Sequence, residues 1–194
     1  QTCALPISQQ AAWEAASLAG TLPPDALLVG VHNFGGNKLD QFLGVRATIS
    51  RTTEGNRSVV TIDFDYTNTT PTGLPRYVAG PFPGAKGGAE GRYQGMLVVE
   101  LPGAAKNSTM TVDGKRSKLL AAGADGPDHR VVAAYVEADR GQTRKASVRF
   151  ELPVEDDSFV VHPSTRVPAI TWSAPRMDDW SDTQAVRIPP SSEG

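Results

Sequence analysis

Residues 60–67 read Val-Thr-Ile-Asp-Phe-Asp-Tyr-Thr, a strict alternation of apolar and polar side chains. Successive side chains of a β-strand point to opposite faces of the sheet, so this stretch predicts a strand with one buried and one solvated face. Residues 45–50, Val-Arg-Ala-Thr-Ile-Ser, repeat the same alternation. The intervening Glu54-Gly55-Asn56 has the composition of a hairpin turn, and we therefore expect the two strands to pair antiparallel.

Downstream of this hairpin the chain continues in short strand-like segments separated by Gly- and Pro-containing turns. A long connection at 68–91 is predicted to hold one short strand near Tyr77-Val78. Strands at such short spacing are typical of a sandwich, so the predicted fold class is mainly β, an antiparallel Ig-like β-sandwich with Greek-key links. The other predicted strands cover 93–101, 108–112, 117–121, 131–138, 145–152, 159–161 and 169–173.

Upstream of the hairpin the sequence has a different character. We expect an Ala-rich helix over Gln9–Ala19 and a strand buried on both faces over Ala26–Val31. Helix, turn and buried strand are typical of an α/β layer, so residues 8–38 are interpreted as the end of an upstream α/β domain. The sandwich is then assigned to 39–175, and the polar segment 176–194 is predicted to be a loose tail.

The first seven residues, Gln-Thr-Cys-Ala-Leu-Pro-Ile, are what a common sequencing-library adapter would encode, and 1–7 is therefore interpreted as a non-native leader. Cys3 is the only cysteine of the chain. Without it the chain has no disulfide, no cysteine nucleophile and no thiolate metal ligand. Because the sequence does not begin with Met, we also expect it to be a fragment of a longer protein.

Composition argues against two classes of partner. The chain has 19 basic and 21 acidic residues, a net charge of −2, whereas a protein that binds nucleic acid presents a basic surface. No apolar run approaches the roughly 20 residues that a membrane-spanning helix needs. The sequence therefore predicts neither a nucleic-acid partner nor a membrane span within this chain.

The motifs of common catalytic and metal sites are not complete in this sequence. His32, His129 and His162 do not stand at the i, i+4 spacing of a helical metal site, and no Gly-x-Ser-x-Gly elbow is present. The acidic runs at 155–157 and 178–179 do not complete a calcium loop. We predict no catalytic residue, no metal and no cofactor, and we expect this fragment not to be an enzyme.

The glycine-containing loop at 33–40 is the main candidate for ligand binding. Gly35 and Gly36 would let backbone amides approach an anion, with Lys38 adding charge. In the structural alternative the glycines permit a tight turn, the asparagines satisfy backbone groups and Lys38 pairs with Asp40. Arg46 is added as a cation at the edge and Trp172 as a ring that could stack on a sugar. The candidate ligand-binding residues are thus Asn33, Asn37, Lys38, Asp40, Arg46 and Trp172.

Two motifs carry a resemblance to a known family. Asn37-Lys38-Leu39-Asp40-x-Phe42-Leu43, followed by Asn68-x-Thr70-Pro71-x-Gly73-Leu74-Pro75-x-Tyr77-Val78, resembles the C-terminal part of the uncharacterised bacterial family called domain of unknown function 4012. The similarity runs from about Ser8 to Pro153, and the family is associated mainly with actinobacteria. It implies a cell-envelope protein held by an N-terminal membrane anchor, with its bulk outside the cytoplasm; the alternative location is the cytoplasm.

Three functions follow as hypotheses. The favoured one is a non-catalytic structural or interaction fragment of an extracytoplasmic envelope protein, with the upstream α/β domain of the same protein as its partner. The upstream part of the family resembles LytR-CpsA-Psr phosphotransferases, so an alternative is part of such a glycopolymer transferase, with its active site before Ser8. A third is a module that binds cell-wall polysaccharide through Trp172, Tyr77 or Tyr93.

Overall fold

The computed structural model describes residues 22–81, 88–164 and 166–191, together with the single residue Ala11. Within these ranges one short helix, α1, covers Arg76–Ala79, and 3-10 turns cover Asp40–Phe42 and Val154–Asp156. The strands are β1 Ala26–Asn33, β2 Leu43–Glu54, β3 Arg57–Asn68, β4 Tyr93–Pro102, β5 Lys106–Val112, β6 Lys115–Arg116, β7 Ala121–Asp125, β8 His129–Ala138, β9 Thr143–Pro153, β10 Phe159–His162, β11 Thr171–Ser173, β12 Trp180–Ser181 and β13 Val186–Ile188.

These strands form two sheets. Sheet A has the order β13-β10-β1-β4-β8-β7, and sheet B has the order β12-β11-β2-β3-β9-β5-β6. The mainly β prediction is confirmed, but both sheets are mixed rather than antiparallel throughout. In sheet A, β1 runs parallel to β10, and in sheet B, β2 runs parallel to β11. Parallel neighbours need a long crossover, and most of the chain separates these partners, so local alternation carries no signal for them.

The predicted hairpin of β2 and β3 is confirmed, and it lies in the middle of sheet B. Its ladder is antiparallel from Leu43 opposite Asn68 to Glu54 opposite Arg57, and Gly55 in the turn has a φ of 63°. Val45 and Phe64 are buried, as the alternation predicts. The polar residues between them form the outer face of sheet B.

One hydrophobic core receives the inner faces of both sheets. Leu27 and Leu97 reach it from sheet A, and Ile62 and Phe150 reach it from sheet B. The Phe150 ring meets the ring of Phe159 from the other sheet edge-on, with centroids 6.2 Å apart. Each large apolar side chain buried in this way stabilises the fold by about 1.5–3 kcal/mol.

Parts of the predicted organisation differ from the structure. The strand predicted at Ala26–Val31 is present as β1, but it lies inside a β sheet, between β10 and β4, rather than in a separate α/β layer. The segment 176–194 was expected to be loose, yet within it β12 and β13 pair with β11 and β10. The leader 1–7 lies outside the described residues, as does the helix predicted over Gln9–Ala19 apart from Ala11.

Two of the smaller strand predictions were wrong. Tyr77-Val78 lies in α1, because Pro75 at its start fixes a backbone angle that suits the first turn of a helix. Residues 117–120 form no strand; they connect β6 of sheet B to β7 of sheet A. Among the described residues, neither α1 nor any other helical segment has the length and apolar character that crossing a membrane requires.

Candidate functional site

The structure brings three of the predicted site residues together at the end of β1. The Asn33 side-chain amide donates to Asn37 Oδ1 at 2.9 Å and to Asp40 Oδ2 at 3.0 Å, and its carbonyl oxygen accepts from the Gly35 N–H at 2.9 Å. Asn37 in turn donates to the carbonyl oxygen of Arg92 at 3.0 Å. These polar groups therefore bind one another and Arg92, the residue before β4, as the structural alternative predicts in part. The pairing of Lys38 with Asp40 that it also predicted is not among the ion pairs of the described residues.

Two further residues lie next to this cluster, the partly buried Arg166 and the fully buried Tyr93. Arg166 donates through Nη2 to the carbonyl oxygens of Asp40, at 3.0 Å, and Leu43. Burial lowers the pKa of Arg166, and the nearby Tyr93 and Asp40 oppose that shift. Burial, with the Asp40 charge, raises the pKa of Tyr93 far above its ordinary value, so the phenol stays protonated. A fully buried Tyr93 offers no ring face to a sugar, which excludes it from the predicted glycan contacts.

The remaining three predicted residues lie in different places. The side chain of Lys38 is exposed, and its backbone N–H donates to Val78 at 2.9 Å. Arg46 is on the outer face of sheet B, where it pairs with Asp179 at 3.2 Å in an exposed ion pair worth at most about 1 kcal/mol. The predicted set is thus not one site.

Trp172 belongs to the core rather than to a ligand site. Its ring is fully buried, stacks on Trp180 with centroids 6.1 Å apart, and meets Phe64 edge-on at 6.3 Å. A ring enclosed on both faces cannot stack on a sugar in this structure. The predicted contact through Trp172 is therefore corrected to a packing role, in which it closes one end of the core.

An exposed aromatic surface occurs instead on the outer face of sheet A. The strand register places His32 opposite Met96 and Met96 opposite Tyr135. One row further along, Gln94 lies opposite Glu137, and the Phe34 N–H donates to the Gln94 carbonyl oxygen at 3.1 Å. We call this group the aromatic end of sheet A; it consists of His32, Phe34, Gln94, Met96, Tyr135 and Glu137.

The two aromatic rings of this surface lie side by side, and hydrogen bonds hold one of them in place. Phe34 is 54% exposed, and its ring lies 5.5 Å from that of Tyr135 at an angle of 43°. The Tyr135 hydroxyl accepts from Gln94 Nε2 at 2.7 Å and donates to Glu137 Oε2 at 3.1 Å. Burial and the Glu137 charge raise the pKa of Tyr135, so the donor proton is retained at neutral pH.

Beyond the aromatic end the same face becomes small and apolar. Val98 lies opposite both Gly30 and Ala133, and in the next row Glu100 lies opposite Leu28 and Val131. A Cβ on Gly30 would lie 3.0 Å from His32 Nε2, so the imidazole reaches back over this glycine. The face therefore offers exposed rings, an amide and a carboxylate at one end, and apolar surface towards its middle. Within the described ranges, no three acidic, histidine or cysteine side chains are grouped closely enough to hold a metal ion.

The aromatic end was not predicted, although the sequence contains part of the pattern that indicates it. The alternation of β4 and β8 marks Gln94 and Tyr135 as outward-facing. Their meeting with Phe34 depends on the register of β4 against β1 and β8, and the neighbours of β4 could not be named from sequence.

Comparison with known proteins adds little to this picture. No family model matches the chain, and no curated protein matches it either. Among solved structures, it is similar to that of a candidate nutrient binding protein from Legionella pneumophila subsp. pneumophila str. Philadelphia 1, with 11% sequence identity and a TM-score of 0.39. The likeness covers 76% of this chain, and the chain spans 55% of the length of that structure. A likeness this weak carries no argument about function, and the resemblance to the family of unknown function stays a prediction.

Proposed function

We propose that this chain is a non-catalytic interaction module of an extracytoplasmic, membrane-tethered cell-envelope protein of bacteria, built as a β-sandwich. The observation that supports an interaction role is the aromatic end of sheet A, where Phe34 is 54% exposed on a hydrogen-bonded framework. Large exposed aromatic side chains on rigid elements are the anchors of protein interfaces. The envelope location rests on the motifs at 37–43 and 68–78.

The proposed partner is the domain that precedes this chain in the full-length protein. The apolar middle of the same face, with Val98 and Val131, would extend an interface centred on Phe34. A partner seated there removes from water both the aromatic ring and the apolar surface beside it, which is the main driving force of association. The charged outer face of sheet B, where Arg46 pairs with Asp179, would stay in solvent.

A second candidate function, binding of cell-wall polysaccharide, is favoured by one specific arrangement. The exposed Phe34 ring stands beside Gln94 and Glu137, whose side chains are suited to hydrogen bonds with sugar hydroxyls. In this version Phe34 and Tyr135 replace the buried Trp172 and Tyr93 as stacking rings. Tyr77, 59% exposed on α1, keeps its predicted role as an additional contact.

The glycopolymer phosphotransferase alternative gains no support from the described residues. The two cations that it would use from this chain, Lys38 and Arg46, lie on the loop after β1 and on the outer face of sheet B. Arg46 is already paired with Asp179.

One pair of measurements tests the proposal and separates its two versions. Amide hydrogen exchange is compared between this chain and the longer parent protein, and we expect slower exchange around Phe34, β4 and β8 in the parent. Unchanged exchange contradicts docking of the preceding domain.

Calorimetric titration with purified wall polysaccharide tests the second version. Phe34→Ala is expected to weaken binding at least about tenfold. Leu120→Ala, which changes an equally exposed residue beside β7, is the matched control. A flat titration of the unaltered chain removes the polysaccharide version.

A further inference from the structure

A concave surface is built from elements that do not contribute to the aromatic end. It lies where the end of β2 meets the turn after β11 and the segment that follows β13. Its volume is about 450 Å³, within the range of about 300–1,000 Å³ that small-molecule sites occupy. We call it the Arg176 groove; its walls include the apolar residues Ile49, Pro175, Met177, Ile188 and Pro189.

The base of the groove is held by a buried ion pair. Arg51, whose side chain is only 11% exposed, donates to the Pro189 carbonyl oxygen at 2.8 Å and to that of Asp157 at 2.9 Å. Its Nη1 also lies 3.3 Å from Asp157 Oδ2, and its guanidinium sits 5.5 Å from the centre of the Phe159 ring. The fully buried Asp157 carboxylate therefore compensates the charge of Arg51, which serves the framework of the groove.

Arg176 supplies a positive charge at the rim of the groove. It is exposed at the rim and has no ion-pair partner among the residues that the structure describes. No aspartate or glutamate is among the described residues that line the groove. Asp179, three residues further along, is paired with Arg46.

The backbone at Arg176 gives an independent reason to look for a function. The Met177 N–H donates to the Ala174 carbonyl oxygen at 3.3 Å, which closes a turn around Pro175 and Arg176. Arg176 has a φ of 63°, in the left-handed region that residues other than glycine rarely adopt. A glycine would occupy this turn without strain, so an arginine here costs the fold some stability.

We propose that the Arg176 groove binds a carboxylate joined to an apolar body. The guanidinium of Arg176 presents the forked donors that match the two oxygens of a carboxylate, while the apolar part of the ligand lies against Met177 and Ile188. The cation at the rim and the apolar walls together favour such an apolar carboxylate over a neutral polar molecule or a cation. The proposal is independent of the aromatic end and of the function proposed for it.

Titration calorimetry on the complete chain tests this directly, with octanoate as the probe and octanol as the uncharged molecule of equal length. We expect octanoate to bind at least tenfold more tightly than octanol. Arg176→Gly removes the charge and suits the left-handed backbone, so the variant folds, and its octanoate affinity is expected to fall at least tenfold, to the level of octanol. Arg176→Lys is expected to keep an intermediate affinity.

Three outcomes overturn the proposal. They are an absence of octanoate binding, equal affinities for octanoate and octanol, and an octanoate affinity that Arg176→Gly leaves unchanged. Thermal unfolding of the same Arg176→Gly sample, with a Tm at or above that of the unaltered chain, shows that any loss of binding comes from the guanidinium and not from misfolding.

Discussion

The side-chain amide of Asn33 lies 3.0 Å from the carboxylate of Asp40, which follows it by seven positions across a loop that contains two glycines. The same amide also donates to Asn37, and the side-chain oxygen of Asn33, Oδ1, accepts from the Gly35 N–H. One side chain thus satisfies three polar groups of the loop. The loop in turn carries Phe34 into its exposed position beside Tyr135.

The first prediction concerns this contact. Asn33→Ala leaves partly buried polar groups without partners, and we expect it to lower the free energy of unfolding by about 1–3 kcal/mol, measured by urea denaturation. Lys38→Ala, in the same loop but with an exposed side chain, is the control and should change stability by less than about 0.5 kcal/mol. Equal effects of the two substitutions would show that the Asn33 contacts do not hold the loop.

The second prediction concerns Asn68, a fully buried polar side chain at the end of β3. Its amide donates to the carbonyl oxygens of Gly91 at 2.7 Å and Ala138 at 2.9 Å, and its own oxygen accepts from Thr70. Asn68→Ala leaves all of these groups without their hydrogen-bond partner, so we expect a loss of about 3 kcal/mol in the free energy of unfolding. The neighbouring exposed Thr72→Ala provides the control, and a loss below about 1 kcal/mol for Asn68→Ala would contradict the assignment.

The third prediction is a dependence of stability on pH. Hydrogen bonds from Arg144 hold the pKa of Asp113 below its ordinary value. At acidic pH the unfolded chain therefore binds a proton that the folded chain does not, so this stabilisation is complete above the unfolded aspartate pKa of about 3.9 and is lost as the pH falls through the folded pKa.

Asp113→Asn removes this contribution without a change of size. Asp113 has a φ of 50°, which asparagine tolerates well, so the variant is expected to fold. Between about pH 5 and pH 2 its stability should fall less steeply than that of the unaltered chain. Asp157 and Glu151, whose pKa values are also held low, keep part of the slope. Parallel stability curves for the two proteins would refute a protective ion pair at Asp113.

A fourth prediction separates packing from binding at Trp172. Trp172→Phe removes part of a fully buried ring and its stack on Trp180, so we expect a loss of about 1–3 kcal/mol in stability. Calorimetric titration with wall polysaccharide should give the same result as for the unaltered chain. Loss of binding with intact stability would restore Trp172 as a ligand contact.

Features formed by residues close together in the chain could be predicted from the sequence, and features formed by distant residues could not. The hairpin of β2 and β3 could be predicted because the alternation at 45–50 and 60–67 and the turn at Gly55 lie close together in the chain. The place of β1 could not, because its neighbours β4 and β10 are distant in sequence and one of them is parallel.

The candidate sites were less predictable than the fold for the same reason. Phe34 and Tyr135 are far apart in the sequence, and only the strand register brings the centres of their rings to 5.5 Å. The left-handed backbone of Arg176 has no sequence signal, since glycine would be the residue expected there. Asn33 and Asn37 were predicted as ligand-binding residues, which stays a prediction; their contact with each other follows from the short loop that joins them.

The parallel pairing of β1 with β10 and of β2 with β11 has a consequence for biosynthesis. The ribosome makes β1 and β2 long before their parallel partners, so sheet A is incomplete until β10 and β13 have emerged and sheet B until β11 and β12 have emerged. Contacts between such distant segments also make folding slow, since long loops must close before the pairing is gained. The nascent chain therefore displays unsatisfied strand edges for most of its synthesis, and holding chaperones have the greatest effect on its yield during that interval.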